Sequence, residues 1–242
     1  MLASDTNTII TNHSGFFLNN LLSKLENVAL PMEADIHPNP TFRTDDSELN
    51  LTFARERGFG VLSVNADPTP IFAHVPFHLS ENGTNLDLHL VRSNPIANNG
   101  LAKQPAVIVV SGPDSYVSPD WYKLDDQVPT WNYTAVHLHG TLERLPEQEL
   151  GASLDVLSDQ YESRLAPKPI WKADKLPADV MKRMMRMIVP FRFTITRTEG
   201  TWKLGQNKPD PARQSAAEFV HKDGIGLDVE TVSKLMMHPP KR

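Results

Sequence analysis

The chain contains no cysteine among its 242 residues. Disulfide bridges, thiolate zinc sites and thiol nucleophiles are therefore excluded as explanations of its fold or activity. Basic residues are also fewer than acidic ones, with 24 Lys and Arg against 29 Asp and Glu, and the formal net charge is −5. Proteins that bind nucleic acid usually present a basic face, so this balance makes a nucleic-acid partner unexpected.

Long apolar runs are missing as well. No stretch approaches the roughly 18 residues that a membrane-spanning helix needs. Residues 1–31 have no basic segment ahead of a clean apolar core, so they do not resemble a secretory signal. We interpret residues 1–31 as a flexible N-terminal extension and expect a cytoplasmic protein without a membrane partner.

Aromatic residues are scarce but concentrated. The chain has 4 Trp and 4 Tyr, and two of the Trp and three of the Tyr lie between Gly112 and Gly140. An ordinary core is built mainly from aliphatic side chains spread along its elements, so it does not need this grouping. Aromatic rings with polar tips, placed on rigid turns flanked by proline, suit a planar ligand that is held by stacking.

Hydrophobic periodicity predicts a mainly β (α+β) protein. Alternating or continuous apolar runs predict strands at 60–65, 71–79, 86–91, 106–110, 133–143 and 191–204. Helical spacing predicts helices at 96–101, 146–165, 178–188 and 211–220. Many short strands with few helices favour a closed or nearly closed antiparallel barrel with appended helices. We expect one domain over 32–222 and a tail over 223–242.

The helix predicted at 178–188 is rich in methionine. Its spacing predicts that Met184 and Met187 pack inward, as methionine side chains often fill core gaps. Lys182, Arg183 and Arg186 would then form a solvated face, which is also the best candidate for a nucleic-acid contact.

Several motifs, in order, resemble the PaiB family. They are His74-Val75-Pro76, His89 with Arg92-Ser93-Asn94-Pro95, Gly112-Pro113 with Tyr116 and Trp121-Tyr122, Val128-Pro129-Thr130-Trp131-Asn132-Tyr133 with His137 and Gly140, and Trp202-Lys203-Leu204 with Gln206-Asn207. The resemblance spans about residues 37–219. It departs from the family at Leu88, where glycine is common, and at Gly205, where serine is common.

This resemblance implies an FMN-binding split β-barrel with flanking helices, a homodimer with its cofactor at the subunit interface. It implies that Arg92 and Ser93 take the phosphate and that His74 and Pro76 border the isoalloxazine ring. The other cofactor-binding residues that it implies are Trp131, Asn132, Lys203, Gln206 and Asn207. Considered without the family, Arg92 to Pro95 reads more simply as a helix cap.

The histidines raise the question of a metal. His74 and His78 share one strand face, and so do His137 and His139, because side chains two apart on a strand point the same way. No carboxylate is spaced near them in a recognised ligand motif, so we predict no metal site. Some split-barrel proteins handle haem, so a haem-binding or haem-degrading protein is a second alternative to flavin binding. No axial ligand for haem stands out in the sequence, however.

The predicted function is that of a flavin-dependent oxidoreductase or flavin sensor that takes a small-molecule substrate. The family is often labelled as negative transcriptional regulators, so a regulator acting through DNA or a protein partner is the alternative. The chain shows no helix-turn-helix pattern, phosphate-binding loop or dinucleotide fingerprint. No catalytic residue is assigned; His137 and Tyr122 are only candidate proton donors.

Overall fold

The computed structural model describes residues 36–44 and 46–240, so the prediction for residues 1–31 lies outside it. The strands are β1 (Arg43–Thr44), β2 (Phe59–Val64), β3 (Ile71–Leu79), β4 (Asn85–Val91), β5 (Lys103–Val117), β6 (Thr130–Arg144) and β7 (Ile188–Lys203). The helices are α1 (Ser47–Arg57), α2 (Pro95–Asn98), α3 (Leu150–Glu162), α4 (Ala178–Met185), α5 (Asp210–Asp223) and α6 (Val229–Met237).

The strands form one antiparallel sheet that closes on itself. Their order is β1-β7-β4-β3-β2-β5-β6, and β6 pairs in turn with β7 to complete a six-stranded barrel. The short β1 extends the edge of β7, where Arg43 lies opposite Thr201. The predicted antiparallel barrel with flanking helices is confirmed.

Side-chain alternation determines what fills the barrel. In β4, Leu86, Leu88 and Leu90 are buried, whereas Asp87 and His89 point outward. The same two-residue period in the other strands assembles one apolar core, since successive side chains of a strand face opposite sides of the sheet. Its fully buried members include Leu62, Phe77, Leu88, Ile108, Val110, Leu138 and Phe193.

A second core lies outside the barrel and involves the C-terminal helices. Val117, Tyr122, Trp202 and Leu204 pack there with buried residues of α5 and α6. The residues from the two helices are Ala212, Ala216, Ala217, Val220, Val232 and Met236. Helix α6 was not predicted from the sequence. Asp228 caps it by accepting a hydrogen bond from the backbone of Thr231, and Val229, Val232 and Met236 recur at helical spacing along it.

Much of the aromatic region is strand, which corrects the expectation of rigid turns in part; Trp121 and Tyr122 do lie in a short 3₁₀ turn, Pro119–Tyr122. Residues 112–117 extend β5 and residues 130–133 begin β6, so that Tyr116 lies opposite Trp131. The register shifts between Ser111 and Asp114, and this irregularity accommodates a proline at position 113, which cannot donate a ladder hydrogen bond. Aromatic side chains favour such cross-strand pairs.

The prediction for the methionine-rich helix was wrong in part. Met184 and Met187 are 53% and 61% exposed. Helix α4 ends at Met185, so Met187 lies beyond it and does not follow its inward face. Lys182, Arg183 and Arg186 are exposed, as predicted.

Asn50 joins three elements of the fold. Its side chain is fully buried on α1. Its Oδ1 accepts a hydrogen bond from Nε1 of Trp202 at 2.9 Å, and its Nδ2 donates to the carbonyl of Thr44 at 3.2 Å. Gly200 on β7 makes room for this amide, because a Cβ there would lie 2.1 Å from Oδ1 of Asn50.

We therefore predict that Asn50→Ala destabilises the protein by about 2–4 kcal/mol, because it leaves the Trp202 indole N–H and the Thr44 carbonyl buried without partners. Urea unfolding measures the loss. Asn98→Ala, at an exposed position of α2, is the matched control and should change stability by less than about 0.5 kcal/mol. Equal losses in the two variants would contradict the role of Asn50.

Candidate functional site

The barrel presents a continuous outer face across five strands. Pairing aligns His74 of β3 with Val61 of β2, Val109 of β5, His137 of β6 and Glu199 of β7. We call the outward side chains on and beside this row the outer face: Phe59, Val61, Phe72, His74, Val107, Val109, His137 and His139. Phe59 and Phe72 are 40% and 60% exposed there. Exposed apolar side chains grouped in this way are typical of an interaction surface.

One group of predicted site residues lies at the β3 side of the outer face. We call His74, Pro76, Arg92 and Ser93 the β3 half-site. The ring of His74 is exposed and stacks on Phe59, with centroids 6.3 Å apart and planes 28° apart. Pro76 lies opposite Phe59 in the register. Helix α2, which begins two residues after Ser93, contacts both β3 and β4.

Arg92 is engaged by the protein itself. Its Nε donates to the carbonyl of Arg186 at 2.9 Å, and its Nη2 donates to Glu147 at 2.8 Å and to the carbonyl of Ile188 at 3.3 Å. Asn94 caps α2 by accepting from the backbone of Ile96, as the alternative reading of this motif expected. The guanidinium therefore fastens the end of β4 to the start of β7, and Ser93 remains exposed beside it.

The other predicted residues lie where β6 begins and β7 ends. We call Trp131, Asn132, Lys203, Gln206 and Asn207 the β6–β7 half-site. Trp131 is 46% exposed and meets Tyr116 edge to face at 6.3 Å. Asn207 is exposed.

Two members of the β6–β7 half-site turn inward. Asn132 is buried and donates to the sulfur of Met236 at 3.3 Å, so it belongs to the second core. Gln206 folds back on its own turn: its Oε1 accepts from the backbone of Leu204 at 2.8 Å, and its Nε2 donates to the carbonyl of Trp202. The amide of Asn132 therefore joins β6 to α6, and that of Gln206 holds the turn that follows β7.

Lys203 is the cation of this half-site. Its ammonium donates to the hydroxyl of Thr130 at 2.5 Å and lies 5.9 Å above the ring of Phe42. Partial burial lowers the pKa of Lys203, because the charged form loses hydration there. An ammonium whose hydrogen-bond partner is a hydroxyl, and not a carboxylate, is well suited to receive an anionic group.

The two half-sites are far apart within one chain. His74 and His137 are three strand spacings apart along the aligned row, which is about 14 Å. Trp131 lies six residues further along β6, or about 20 Å at a normal strand rise. The two half-sites of one chain therefore cannot both touch the ring system of a single flavin.

The candidate proton donors differ in accessibility. His137 lies on the outer face, and its pKa is lowered by burial and by the neighbouring His139, against the opposing effect of Glu199. Tyr122 is 2% exposed within the second core, and burial raises its pKa. Only His137 is placed where a ligand on the outer face could meet it.

Strand register reveals residues that sequence reasoning missed. Glu199 lies opposite His137, and Arg197 lies opposite His139. Oε2 of Glu199 is 2.6 Å from Nε2 of His139, and its Oε1 accepts from Arg197 at 2.7 Å. The sequence separates these residues by about 60 positions, so only the pairing of β6 with β7 brings them together.

Comparison with known proteins identifies the family. Residues 36–197 match the family described as "Putative FMN-binding domain". The chain belongs to this family. It is 28% identical over 184 residues to "Protease synthase and sporulation protein PAI 2" of Bacillus subtilis, covering 75% of this chain and 87% of that protein. The predicted PaiB-type FMN-binding split barrel, with FMN as its cofactor, is confirmed.

Two further relatives extend the comparison. An uncharacterised protein of Saccharomyces cerevisiae is 34% identical over 101 residues, covering 38% of this chain and 60% of that protein. The solved structure of the FAD and haem binding protein from Mycobacterium smegmatis superposes with a TM-score of 0.51 at 16% identity, covering 76% of this chain and 82% of that one. At this identity the superposition supports the fold alone.

Residues 36–44 and 46–240 contain no helix with the length and apolar character needed to cross a membrane.

Proposed function

We propose that this FMN-binding protein is a flavin-dependent oxidoreductase that works as a homodimer, with each flavin held between two subunits. The observation that carries the proposal is the separation of the two half-sites on one outer face. A two-fold axis through the middle of that face would bring the β3 half-site of one subunit to the β6–β7 half-site of the other.

The exposed aromatic side chains support this assembly. Phe59 and Phe72 on the outer face and Trp131 in the β6–β7 half-site are each at least 40% exposed. Burying such rings between subunits removes apolar surface from water, which is the main driving force of association. An isologous contact uses the same patch twice, so one patch can carry both copies of each half-site.

The side chains in and beside the two half-sites are of the types that can bind FMN. The ammonium of Lys203, the hydroxyl of Thr130 and, from the other subunit, the hydroxyl of Ser93 can bind a phosphate. The Trp131 indole and the stacked pair of His74 and Phe59 offer flat surfaces for the ring. When bound, FMN supplies hydride and electron transfer. The chain supplies orientation, exclusion of water and, at His137, a group able to hold a proton.

In this proposal the phosphate role moves from Arg92 to Lys203. The guanidinium of Arg92 already makes three hydrogen bonds to the protein. Its charge is already paired with Glu147, so a phosphate there would have to compete with a carboxylate. Lys203 loses only a bond to a hydroxyl, so it binds an anion at lower cost.

Regulation by direct DNA contact is less well supported. The exposed cations of the α4 segment are Lys182, Arg183 and Arg186, which are too few for a strong electrostatic footprint. Helices α5 and α6 bury their apolar faces in the second core, and the whole chain is acidic.

We predict that Lys203→Gln weakens FMN binding about tenfold to a hundredfold, since it removes a charge-assisted hydrogen bond to the phosphate. Quenching of flavin fluorescence during titration measures the affinity. Riboflavin, which lacks the phosphate, should bind the variant and the parent equally.

Lys222→Gln, at an exposed position of α5, is the charge-matched control and should leave FMN affinity unchanged. Equal weakening of FMN and riboflavin by Lys203→Gln would show that Lys203 does not bind the phosphate. Absence of quenching by FMN with the parent protein would refute the flavin site itself.

We next predict that the two half-sites complement each other between subunits. Each homodimer of His74→Glu or Lys203→Gln should bind FMN poorly. A purified heterodimer of the two variants, isolated with two affinity tags, should bind one FMN with parental affinity, because one of its two flavin sites is intact.

A second heterodimer makes the test decisive. It pairs a chain carrying both substitutions with an unmodified chain. If the half-sites meet between subunits, neither site of this heterodimer is intact and it binds no FMN tightly. If each flavin lay within one chain, this heterodimer would bind one FMN and the first heterodimer none. Light scattering should also give about twice the 27.1 kDa chain mass for the parent.

The choice between oxidoreductase and regulator rests on a separate pair of measurements. We predict that the FMN-loaded protein oxidises NADH or NADPH and that it does not retard promoter DNA in a sequence-dependent manner at physiological salt. Oxidation without retardation supports the oxidoreductase. Flavin binding without turnover would leave a flavin sensor, and salt-resistant, sequence-dependent retardation would establish the regulator.

A further inference from the structure

We propose that His137, His139 and Glu199 form a binding site for a divalent transition-metal cation, with Zn²⁺ as the preferred ion. One ligand atom from each residue lies within 4.8 Å of the other two. All three side chains are partly buried on the outer side of the sheet. The proposal does not depend on flavin binding.

The barrel places these ligands on rigid, paired strands. His137 and His139 are two residues apart on β6, so both point to the same side. Glu199 lies directly opposite His137 on β7. Neighbouring strands lie about 4.8 Å apart, so side chains on the same side of β6 and β7 can reach one ion. Sites built on strands hold their geometry more closely than sites on loops.

The donor set is suited to zinc. Two imidazoles and one carboxylate are a ligand combination found in zinc sites that keep one coordination position open. Both rings lie on the same side of β6, so each can turn one ring nitrogen toward the carboxylate of Glu199. Nε2 of His139 and Oε2 of Glu199, now 2.6 Å apart, would part to admit the ion, with release of any proton they share.

Arg197 supports the site and also limits its affinity. It donates to Oε1 of Glu199 at 2.7 Å, leaving Oε2 for the ion, and such outer hydrogen bonds commonly orient ligating carboxylates. Its guanidinium also lies 3.5 Å from Nε2 of His139. Because this charge offsets that of Glu199, we expect micromolar rather than nanomolar affinity for Zn²⁺.

The three donors converge from one sheet surface, as the ligands of a single bare cation would. The open coordination position faces outward, where water or a polar group of a substrate can occupy it. The site is about 14 Å, or three strand spacings, from His74 of the β3 half-site.

The test uses the full-length chain, freed of metal by a chelator and without FMN. Calorimetric titration with Zn²⁺ should show one ion per chain with a micromolar dissociation constant. His137→Gln and Glu199→Gln should each weaken binding about tenfold or more, because even the loss of a residue that only hydrogen-bonds to a metal ligand costs about that much. His221→Gln, an exposed histidine on α5, should bind as tightly as the parent. Circular dichroism checks that the variants are folded.

A cobalt experiment keeps the proposal testable if those variants fold poorly. Because the chain has no cysteine, His137→Cys introduces a single thiol that can replace the imidazole as a ligand. Its Co²⁺ complex should show a thiolate-to-cobalt absorption band that the parent complex lacks, together with the visible bands of tetrahedral cobalt in both. No Zn²⁺ binding at about 100 µM, equal affinity in His137→Gln and His221→Gln, or absence of the thiolate band would overturn the site.

Discussion

The pairing of β6 with β7 is the constraint on which the rest of the structure depends. Strand β7 pairs with β4 through its first half and with β6 through most of its length, so it converts an open sheet into a closed barrel. The register shifts between His139 and Gly140. Glycine is required there, since a Cβ at position 140 would lie 2.0 Å from the carbonyl oxygen of Thr194. The close approach lets the strands bend around the core.

Closure also decides which side chains meet. The pairing places Glu199 against His137, and Lys203 against Tyr133 near Thr130. The same strand carries Trp202 inward to Asn50 and the second core. One strand thus joins the barrel interior, the C-terminal helices and both clusters of polar residues on the outside. A change in its register by one residue would exchange buried and exposed side chains along its length.

The sequence was sufficient to predict the barrel because the alternation of apolar and polar side chains along a strand is a local signal. Leu86, Leu88 and Leu90 show the two-residue period without knowledge of any partner strand. It was not sufficient for residues 112–117 and 130–132, where prolines and aromatic rings resembled turns, since only cross-strand pairing stabilises them as strands. Helix α6 escaped prediction although Asp228 is a capping signal and Val229, Val232 and Met236 have helical spacing. It has only nine residues, and a helix that short depends on packing, here on α5.

The candidate site shows even more clearly which features local sequence predicts and which depend on strand pairing. Residue types identified the family and its cofactor, yet they could not tell that Arg92 is held by Glu147 or that Asn132 and Gln206 serve the fold. Motif residues that are close in sequence face different sides of the molecule. His137 and Glu199, by contrast, are 62 positions apart and meet only when β6 pairs with β7. Because a strand exposes every second side chain, a motif on a strand supplies half of its residues to the fold and half to the surface. The register, rather than the motif, therefore selects which residues are available to a flavin or a metal.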